Sequence, residues 1–433
     1  MVMTAPVGTL PAEVAIKVEE IHRADIVVGI PSYNNRNTIK HVVRAVQYGL
    51  AKYFPRQKAV LVNSDGGSTD GTRQIVDETG VYTDMDTILI RHSVMPAQKV
   101  VTPYHGIPGK GSAFHTIFQI AVDLRAKACI VVDSDLRSIT PEWVELLAGP
   151  ILLKGYDFTA PWYSRHKYDG TITNSIIYPA TRALYGIRIR QPIGGDFGFS
   201  GNLAKHYLSR DIWDSDIARY GIDIWMTTKA ICEGYKICQA FLGAKIHDAK
   251  DPARSLGPMF QQVIGTMFLL MSRYEGHWKD VLASRPTALY GFRSEFYPED
   301  VKVDLHAMVE GFRSGYRQER EFLKRCLPAE RIAEIDAISS LPDDRLDYPD
   351  KSWVRTVWDF AVAYRRLKDN NDGVDRLMLA MVPLYLGRTA SFVRETYDMP
   401  TYEAEEIIER LCDVFEAEKP YLLERWFSEG KEA

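Results

Sequence analysis

Ile130-Val131-Val132-Asp133-Ser134-Asp135 is a β-branched run that ends in two carboxylates. Such a run favours a buried strand. Residues i and i+2 of a strand face the same way, so Asp133 and Asp135 are predicted to gather at the strand's carboxyl end. Open α/β sheets bind their ligands there. Two like charges held close repel each other unless a cation lies between them. A paired oxygen set suits Mg²⁺ or Mn²⁺, and a nucleotide diphosphate can complete the coordination shell. The competing reading is a solvated turn, because Asp and Ser are common turn formers.

The flanking sequence repeats one pattern. Asp25 to Ile30 reads as a strand and runs into Pro31-Ser32-Tyr33-Asn34-Asn35, after which Thr38 opens a helix with Ile39, Val42, Val43 and Val46 at helical spacing. Ala59 to Val62 is a second strand, ending at Asn63-Ser64-Asp65-Gly66-Gly67, and a helix is expected over 72–78. Thr87 to Arg91 is a third strand, and Gly106 to Gly111 precedes a helix expected over 112–125. Alternating helices and continuously apolar strands predict an α/β fold with a mostly parallel, doubly wound sheet. From Gly149 the pattern turns mixed. Strands are expected over 157–163 and 236–242, helices over 175–185 and 222–233, and a tight loop over 191–196. After about residue 256 the strands stop. Amphipathic helices are expected over 259–272, 305–327, 329–338, 353–367, 374–386 and 402–427, the last interrupted at Pro420. The expected organisation is a leader and short helix over 1–23, an α/β catalytic domain over 24–256 and a helical domain over 257–433. Trp353, Val354, Val357, Phe360, Ala361 and Tyr364 form an apolar stripe that reads as domain core, with a homodimer face as the alternative.

Composition bounds the function. The 433 residues are 46% hydrophobic and 25% charged, as in an ordinary globular protein of two or three domains. A net charge of −4 gives no electrostatic case for nucleic-acid binding. The five cysteines form no CxxC pair and read as reduced core residues, which points to the cytoplasm. The first 20 residues show no signal-peptide pattern, and the most apolar later stretch, 263–271, falls well short of the ~20 residues that span a bilayer.

Each strand of the first half ends in a distinct polar loop. Pro31 to Asn35 suits a flat base. Asp65 can accept hydrogen bonds from a base N–H or ribose hydroxyls, and Gly66 and Gly67 allow close approach; the plainer reading is a helix cap. Lys110, between two glycines at a helix N-terminus, suits phosphate or a polarised base edge. The spacing is not that of a phosphate-binding P-loop.

As an ordered set, strand–Pro-x-Tyr-Asn, strand–Asp-Gly-x-Ser-x-Asp-Gly, Gly-Lys-Gly and strand–Asp-x-Asp resembles the nucleotide-diphosphosugar glycosyltransferases of the GT-A fold. The resemblance covers residues 24 to 140. It implies that Asp65 contacts the base, Asp133 the ribose or sugar and Asp135 the metal, with Lys110 near the base or phosphates. Further on come Tyr178-Pro179-Ala180-Thr181-Arg182, Gln191-Pro192-Ile193-Gly194-Gly195-Asp196, Tyr220-Gly221-Ile222-Asp223 and Ala244-Lys245-Ile246-His247. These resemble the retaining synthases of compatible solutes: mannosylglycerate, glucosylglycerate and glucosyl-3-phosphoglycerate synthases. The implied catalytic set is Asp223, Asp196 and Gln191. The implied donor set is Pro31, Tyr33, Asn35, Asp65, Lys110, Asp133, Ser134, Gly194 and Gly195. The implied metal ligands are Asp135 and His247, with Asp133, for Mg²⁺ or Mn²⁺. Without the resemblance, His247 would read as an ordinary surface or core residue, Asp223 as a helical ion pair with Arg219 and Gly194-Gly195 as a turn.

The implied activity is transfer of glucose or mannose from a nucleoside diphosphate, such as UDP-glucose or a GDP-hexose, to a small hydroxy acid such as D-glycerate. The implied acceptor contacts are Thr171, Thr173, Asn174 and Arg165. One departure matters. Phosphoglycerate-using members carry Gly-Gly-Arg-Val-Thr, whose Arg and Thr hold the acceptor phosphate. The aligned place here is Asp169-Gly170-Thr171-Ile172-Thr173-Asn174, without the Arg. A phosphate dianion would lose its bidentate partner, which favours an unphosphorylated acceptor unless Arg165, His166 or Lys167 compensates. The alternatives are 3-phosphoglycerate, a saccharide or a lipid as acceptor, and a nucleotide-sugar binding protein without transfer activity. A sugar-1-phosphate nucleotidyltransferase would need a Gly-rich basic loop where Pro31 to Asn35 stands.

Overall fold

The structure is a computed structural model. It describes residues 10–79, 86–91 (backbone only), 110–210, 212–213, 221–247, 257–293 and 300–428. Gly106 to Gly109 and Tyr220 lie outside the described residues. The chain divides into two compact units, the first built from 1–164, 190–248 and 287–298, the second from 165–189, 249–286 and 299–433. The division is not the single break expected at 256/257: residues 165–189 join the helical unit, and 287–298 return to the sheet.

The first unit holds an eight-stranded sheet. Its strands are β1 (Ile26–Ser32), β2 (Ala59–Asp65), β3 (Asp86–Arg91), β4 (Ala128–Val131), β5 (Phe158–Ser164), β6 (Phe197–Ser200), β7 (Ile237–Ala244) and β8 (Leu289–Tyr290). Their spatial order is β8-β7-β5-β6-β4-β1-β2-β3. All pairs are parallel except those of β6 with β4 and β5. The sheet is therefore mixed and mostly parallel, as expected. β8 is a strand where the sequence pattern implied only helices; at two residues it is too short to show a period.

The strands are apolar on both faces because both faces are covered. Ile26, Val28 and Ile30 of β1 pack with Val42, Val43 and Val46 of α2 (Ile39–Tyr53) and with Trp143, Val144 and Leu147 of α5 (Glu142–Lys154). The opposite face receives α4 (Lys110–Asp123). A Cβ on Gly29 would lie 2.5 Å from Ile117, so the glycine lets α4 seat closely on β1 and fixes where its first residue, Lys110, begins. The register Ser32↔Asp65 and Gly29↔Val131 aligns the carboxyl ends of β1, β2 and β4. Neighbours of β1 lie on both sides, so the ends of β1 and β4 flank a topological switch point.

The second unit is helical, with long helices at Gly257–Arg273, Leu305–Cys326, Ala329–Ser339, Asp350–Leu367, Asn371–Thr396, Thr401–Ala417 and Lys419–Ser428. Trp353, Val354, Val357, Phe360 and Ala361 are buried, so the stripe is core. Arg331 pairs with Asp359 at 3.1 Å, and both are buried. Lys167 donates to the carbonyls of Thr396, Tyr397 and Met399 at 2.6, 3.3 and 2.5 Å, closing the end of the longest helix. All five cysteines are free. Among the described residues no helix is long and apolar enough to cross a membrane.

Two glycines test the contact between α5 and β6. A Cβ at Gly198 would meet the Leu147 carbonyl at 2.3 Å, whereas one at Gly149 meets nothing within 4 Å. Gly198→Ala is expected to cost about 1–3 kcal/mol as overpacking. Gly149→Ala, inside a helix, is expected to gain about 0.5–1 kcal/mol. Urea unfolding of the two variants checks the pair; equal effects would contradict the packing.

Candidate active site

Five charged side chains from five elements form an alternating chain in the first unit. Asp223 begins it, in the first turn of a helix over Ile222–Cys232. Lys110 Nζ lies 3.4 Å from Asp223 Oδ2 and 3.0 Å from Asp133 Oδ1. Lys245, just beyond β7, lies 3.0 Å from Asp133 Oδ2 and 2.7 Å from Asp196 Oδ2. Asp196, fully buried, accepts from the Asp133 amide at 2.7 Å and from the Tyr163 hydroxyl. Lys245 also donates to the Gly194 carbonyl at 2.8 Å and lies over the Tyr163 ring.

The turn that carries Asp196 is sterically specified. Gly195 has φ +90°, and a Cβ there would lie 2.2 Å from Asp133 Oδ2. Only glycine permits both the backbone angle and the close approach. Gln191 supports the turn from behind: its amide accepts from Tyr163 N at 3.2 Å and donates to Tyr163 O at 3.3 Å.

The charges tune one another. Burial alone would raise the Asp133 carboxyl, but Lys110 and Lys245 outweigh it and hold it far below the ordinary range. Burial likewise opposes the charge on Lys110, and Asp133 and Asp223 outweigh it, raising the ammonium well above its usual value. Asp196 and Asp223 go the other way. Burial raises each of them and Asp133 adds to the rise, while Lys245 and Lys110 respectively oppose it. Asp223 Oδ1 is buried and has no hydrogen-bond partner among the described residues.

The expected metal trio is not assembled as one group. β4 ends at Val131, and Asp133 to Asp135 run through a turn rather than extended strand, so the alternation that would align the two carboxylates is lost. Asp133 has one oxygen on Lys110 and the other on Lys245. Among the described residues no group of three or more His, Cys, Asp or Glu side chains could hold a metal. Asp135 is half-buried and makes no hydrogen bond or ion pair among the described residues. His247 follows Ile246, which the Arg137 amide and Ser138 hydroxyl bind at 2.9 Å each, so its segment lies beside the turn after Asp135. A carboxylate and an imidazole from these two segments would fit Mn²⁺ or Mg²⁺ only if ligand oxygens supplied the rest of the shell.

The predicted base-side residues serve mainly to build loops. Asp65 accepts from Ser32 Oγ at 3.1 Å, Gly67 N at 3.0 Å and Ser68 N at 2.8 Å, so its carboxylate closes its own turn. Asn35 Oδ1 accepts from Tyr33 N at 2.9 Å and Ser134 Oγ at 2.8 Å, and Thr38 donates to Ser134 O at 2.7 Å. These bonds tie the first loop to the Asp-Ser-Asp turn. Pro31 is buried in β1, and Tyr33 is half-buried beyond it.

The predicted acceptor residues belong to the second unit. Thr171, Thr173 and Asn174 are buried there, and the Thr171 hydroxyl is 2.5 Å from that of Tyr385. Arg165 pairs with Asp169 at 3.6 Å. Sequence reasoning gave Lys245 no role of its own. The available signal was a lysine at the end of a buried strand, two residues before His247.

No protein-family model and no curated protein matches the chain. Among solved structures it is similar to glucosyl-3-phosphoglycerate synthase from Mycobacterium tuberculosis. With Mn²⁺, uridine diphosphate and glucosyl-3-phosphoglycerate bound, the match has 22% identity over 62% of this chain and 87% of that chain, TM-score 0.43. With Mn²⁺, UDP-glucose and phosphoglyceric acid bound it has 23% identity over 62% and 86%, TM-score 0.42. A mycobacterial protein matches at 24% identity over 61% and 80%, TM-score 0.43.

Asp133→Asn would remove the anion that the two ammoniums share, leaving Asp223 on Lys110 and Asp196 on Lys245, and is expected to cost about 1–3 kcal/mol. Asp135→Asn is expected to stay within about 0.5 kcal/mol of wild type. Because the folded Asp133 carboxyl is depressed, its stabilisation is full above the ordinary carboxylate pKa of ~3.9 and is lost as pH falls through the lower folded value. Denaturation midpoints at pH 7 and pH 3 check both points. Equal losses for the two variants at pH 7, or a gap that widens in acid, would contradict the charge chain.

Proposed function

We propose that the chain is a metal-dependent retaining hexosyltransferase. It would move glucose or mannose from a nucleoside diphosphate to a small unphosphorylated hydroxy acid, D-glycerate being the first candidate. The observation that carries the reading is the largely buried chain Asp223–Lys110–Asp133–Lys245–Asp196 at the carboxyl ends of the sheet, with Asp135, unpaired among the described residues, two positions after Asp133.

Fully ionised, that chain has three carboxylates and two ammoniums, a net charge of −1, and Asp135 makes it −2. A diphosphate would be repelled from such a surface. A divalent cation held by Asp135 and His247 would offset that repulsion and stabilise charge on the leaving diphosphate. Lys110 is the ammonium placed to follow that charge, since it is shared between two carboxylates and is the less enclosed lysine, with 18% of its side chain exposed against 3% for Lys245. Asp223 Oδ1, without a partner among the described residues, is the acceptor atom for a donor-sugar hydroxyl or for positive charge developing on the ring. Asp196 and Gln191 orient the turn and do not react. In a retaining transfer on one face of the sugar, the departing phosphate oxygen takes the acceptor proton, so no protein base is required.

The acceptor preference follows from the second unit. The segment 165–174 carries three basic residues, and each is engaged. Arg165 faces Asp169. Lys167 donates to three carbonyls. His166 accepts at Nδ1 from the Tyr168 and Val301 amides, both at 3.3 Å, which requires that nitrogen to be unprotonated. Burial lowers its pKa, in keeping with a neutral ring. None of them replaces the missing guanidinium, so a phosphate dianion gains nothing from this segment.

Purified protein is to be assayed with UDP-, GDP- and ADP-hexoses against D-glycerate and 3-phosphoglycerate, with Mg²⁺, Mn²⁺ or EDTA. The expected product is an α-linked hexosyl glycerate, abolished by EDTA. The kcat/KM for D-glycerate should exceed that for 3-phosphoglycerate by about 10–100-fold, the worth of a charge-assisted hydrogen bond. Asp223→Asn should lower kcat by roughly 10²–10³. Donor binding with no transfer to either acceptor would instead favour a nucleotide-sugar binding protein. A preference for 3-phosphoglycerate would overturn the acceptor reading alone.

A further inference from the structure

We propose that Lys245 is a positioning residue for this reaction: its ammonium binds the Gly194-Gly195-Asp196 turn to Asp133 and thereby holds Asp133 where it aims Lys110 at Asp223. The inference rests on the transferase reading.

Lys245 itself is closed to substrate. Its side chain is 3% exposed. An ammonium has three N–H donors, and those of Lys245 are matched by Asp133 Oδ2 at 3.0 Å, Asp196 Oδ2 at 2.7 Å and the Gly194 carbonyl at 2.8 Å. None remains for a diphosphate oxygen. The residue acts on what surrounds it. Asp133 and Asp196 are joined by the bond from the Asp133 amide to Asp196 Oδ1, so their carboxyl groups lie close together, and Lys245 is the cation between them. Without it, each retains only part of its compensation. Asp196 keeps the Tyr163 hydroxyl and the Asp133 amide, and Asp133 keeps Lys110. Repulsion between the two would turn Asp133 away from Lys110, and Lys110 away from Asp223.

The test uses Lys245→Met, Asp196→Asn and the double variant in the full chain. Turnover is normalised to the sites that bind nucleoside diphosphate with Mn²⁺. Lys245→Met is expected to lower kcat at least tenfold while the donor KM and the affinity for nucleoside diphosphate stay within threefold. The unfolding midpoint should fall as well. Asp196→Asn in the Lys245→Met background removes the uncompensated anion and keeps an oxygen for the Asp133 amide. It is therefore expected to recover part of both losses, and it supplies a folded protein if the single variant does not fold.

A nucleoside-diphosphate affinity that falls tenfold or more with kcat unchanged would make Lys245 a donor ligand and overturn the proposal. So would a kcat per binding site equal to wild type, which would mark a purely structural residue, or a double variant worse than either single one. Absence of turnover by wild type with every donor would overturn the transferase reading and the positioning role with it. Turnover kept by Lys245→Met overturns the positioning role alone.

Discussion

Two lysines drawn close together in a site with little water repel each other unless an anion lies between them, and Asp133 is that anion. The cost of removing an ion from water is several kcal/mol, and it is offset only by close, well-aligned partners. This requirement makes the site depend on distant pieces of chain arriving together. α4 brings Lys110, the end of β4 brings Asp133, the loop before β6 brings Asp196, the end of β7 brings Lys245 and the first turn of the helix that precedes β7 brings Asp223. Gly29, Gly194 and Gly195 are places where a Cβ would disturb that assembly, the first by meeting Ile117 of α4, the second Pro161 and the third Asp133.

The carboxylates of the first unit are chemically distinct although they are the same residue type. Asp65, Asp133 and Asp196 have their oxygens occupied by protein donors. Among the described residues, Asp135 and one oxygen of Asp223 do not. In the proposed chemistry the second group meets the ligand, while Asp133 holds Lys110, Asp196 shares Lys245 with Asp133 and Asp65 closes its own turn. The helical unit follows the same rule in a different way: Arg165, His166 and Lys167 are all committed to local partners, so that segment has no spare positive charge for a phosphate.

The sheet was legible because Ile26 to Ile30, Ala59 to Val62 and Ala128 to Val132 are continuous apolar runs with polar ends, a pattern that only buried parallel strands require. Less was legible where periodicity fails. α5 is apolar around most of its circumference and contains Gly149 and Pro150, so it resembled a break rather than a helix. β6, Phe-Gly-Phe-Ser, is too short to show alternation and runs antiparallel. At the site, residue type and order identified Lys110, Asp133, Asp196 and Asp223 but not their state of pairing. Asp65 was expected to meet a ligand and instead meets the amides of its own turn, and Gln191 instead meets the backbone N–H and carbonyl of Tyr163 in β5. Lys245 escaped notice because its role exists only in the fold: nothing local marks a lysine as the counter-ion of residues 112 and 49 positions away.

The proposed chemistry requires a carboxylate-rich site to accept a diphosphate only together with a divalent cation held by Asp135 and His247. Isothermal titration of a nucleoside diphosphate into the wild-type protein, with Mn²⁺ and with chelator, tests it without requiring the sugar or the acceptor to be known. Binding is expected with Mn²⁺, with its loss under chelator and its loss in Asp135→Asn at unchanged stability. Equal affinity with and without the cation, or undiminished binding by Asp135→Asn, would contradict it.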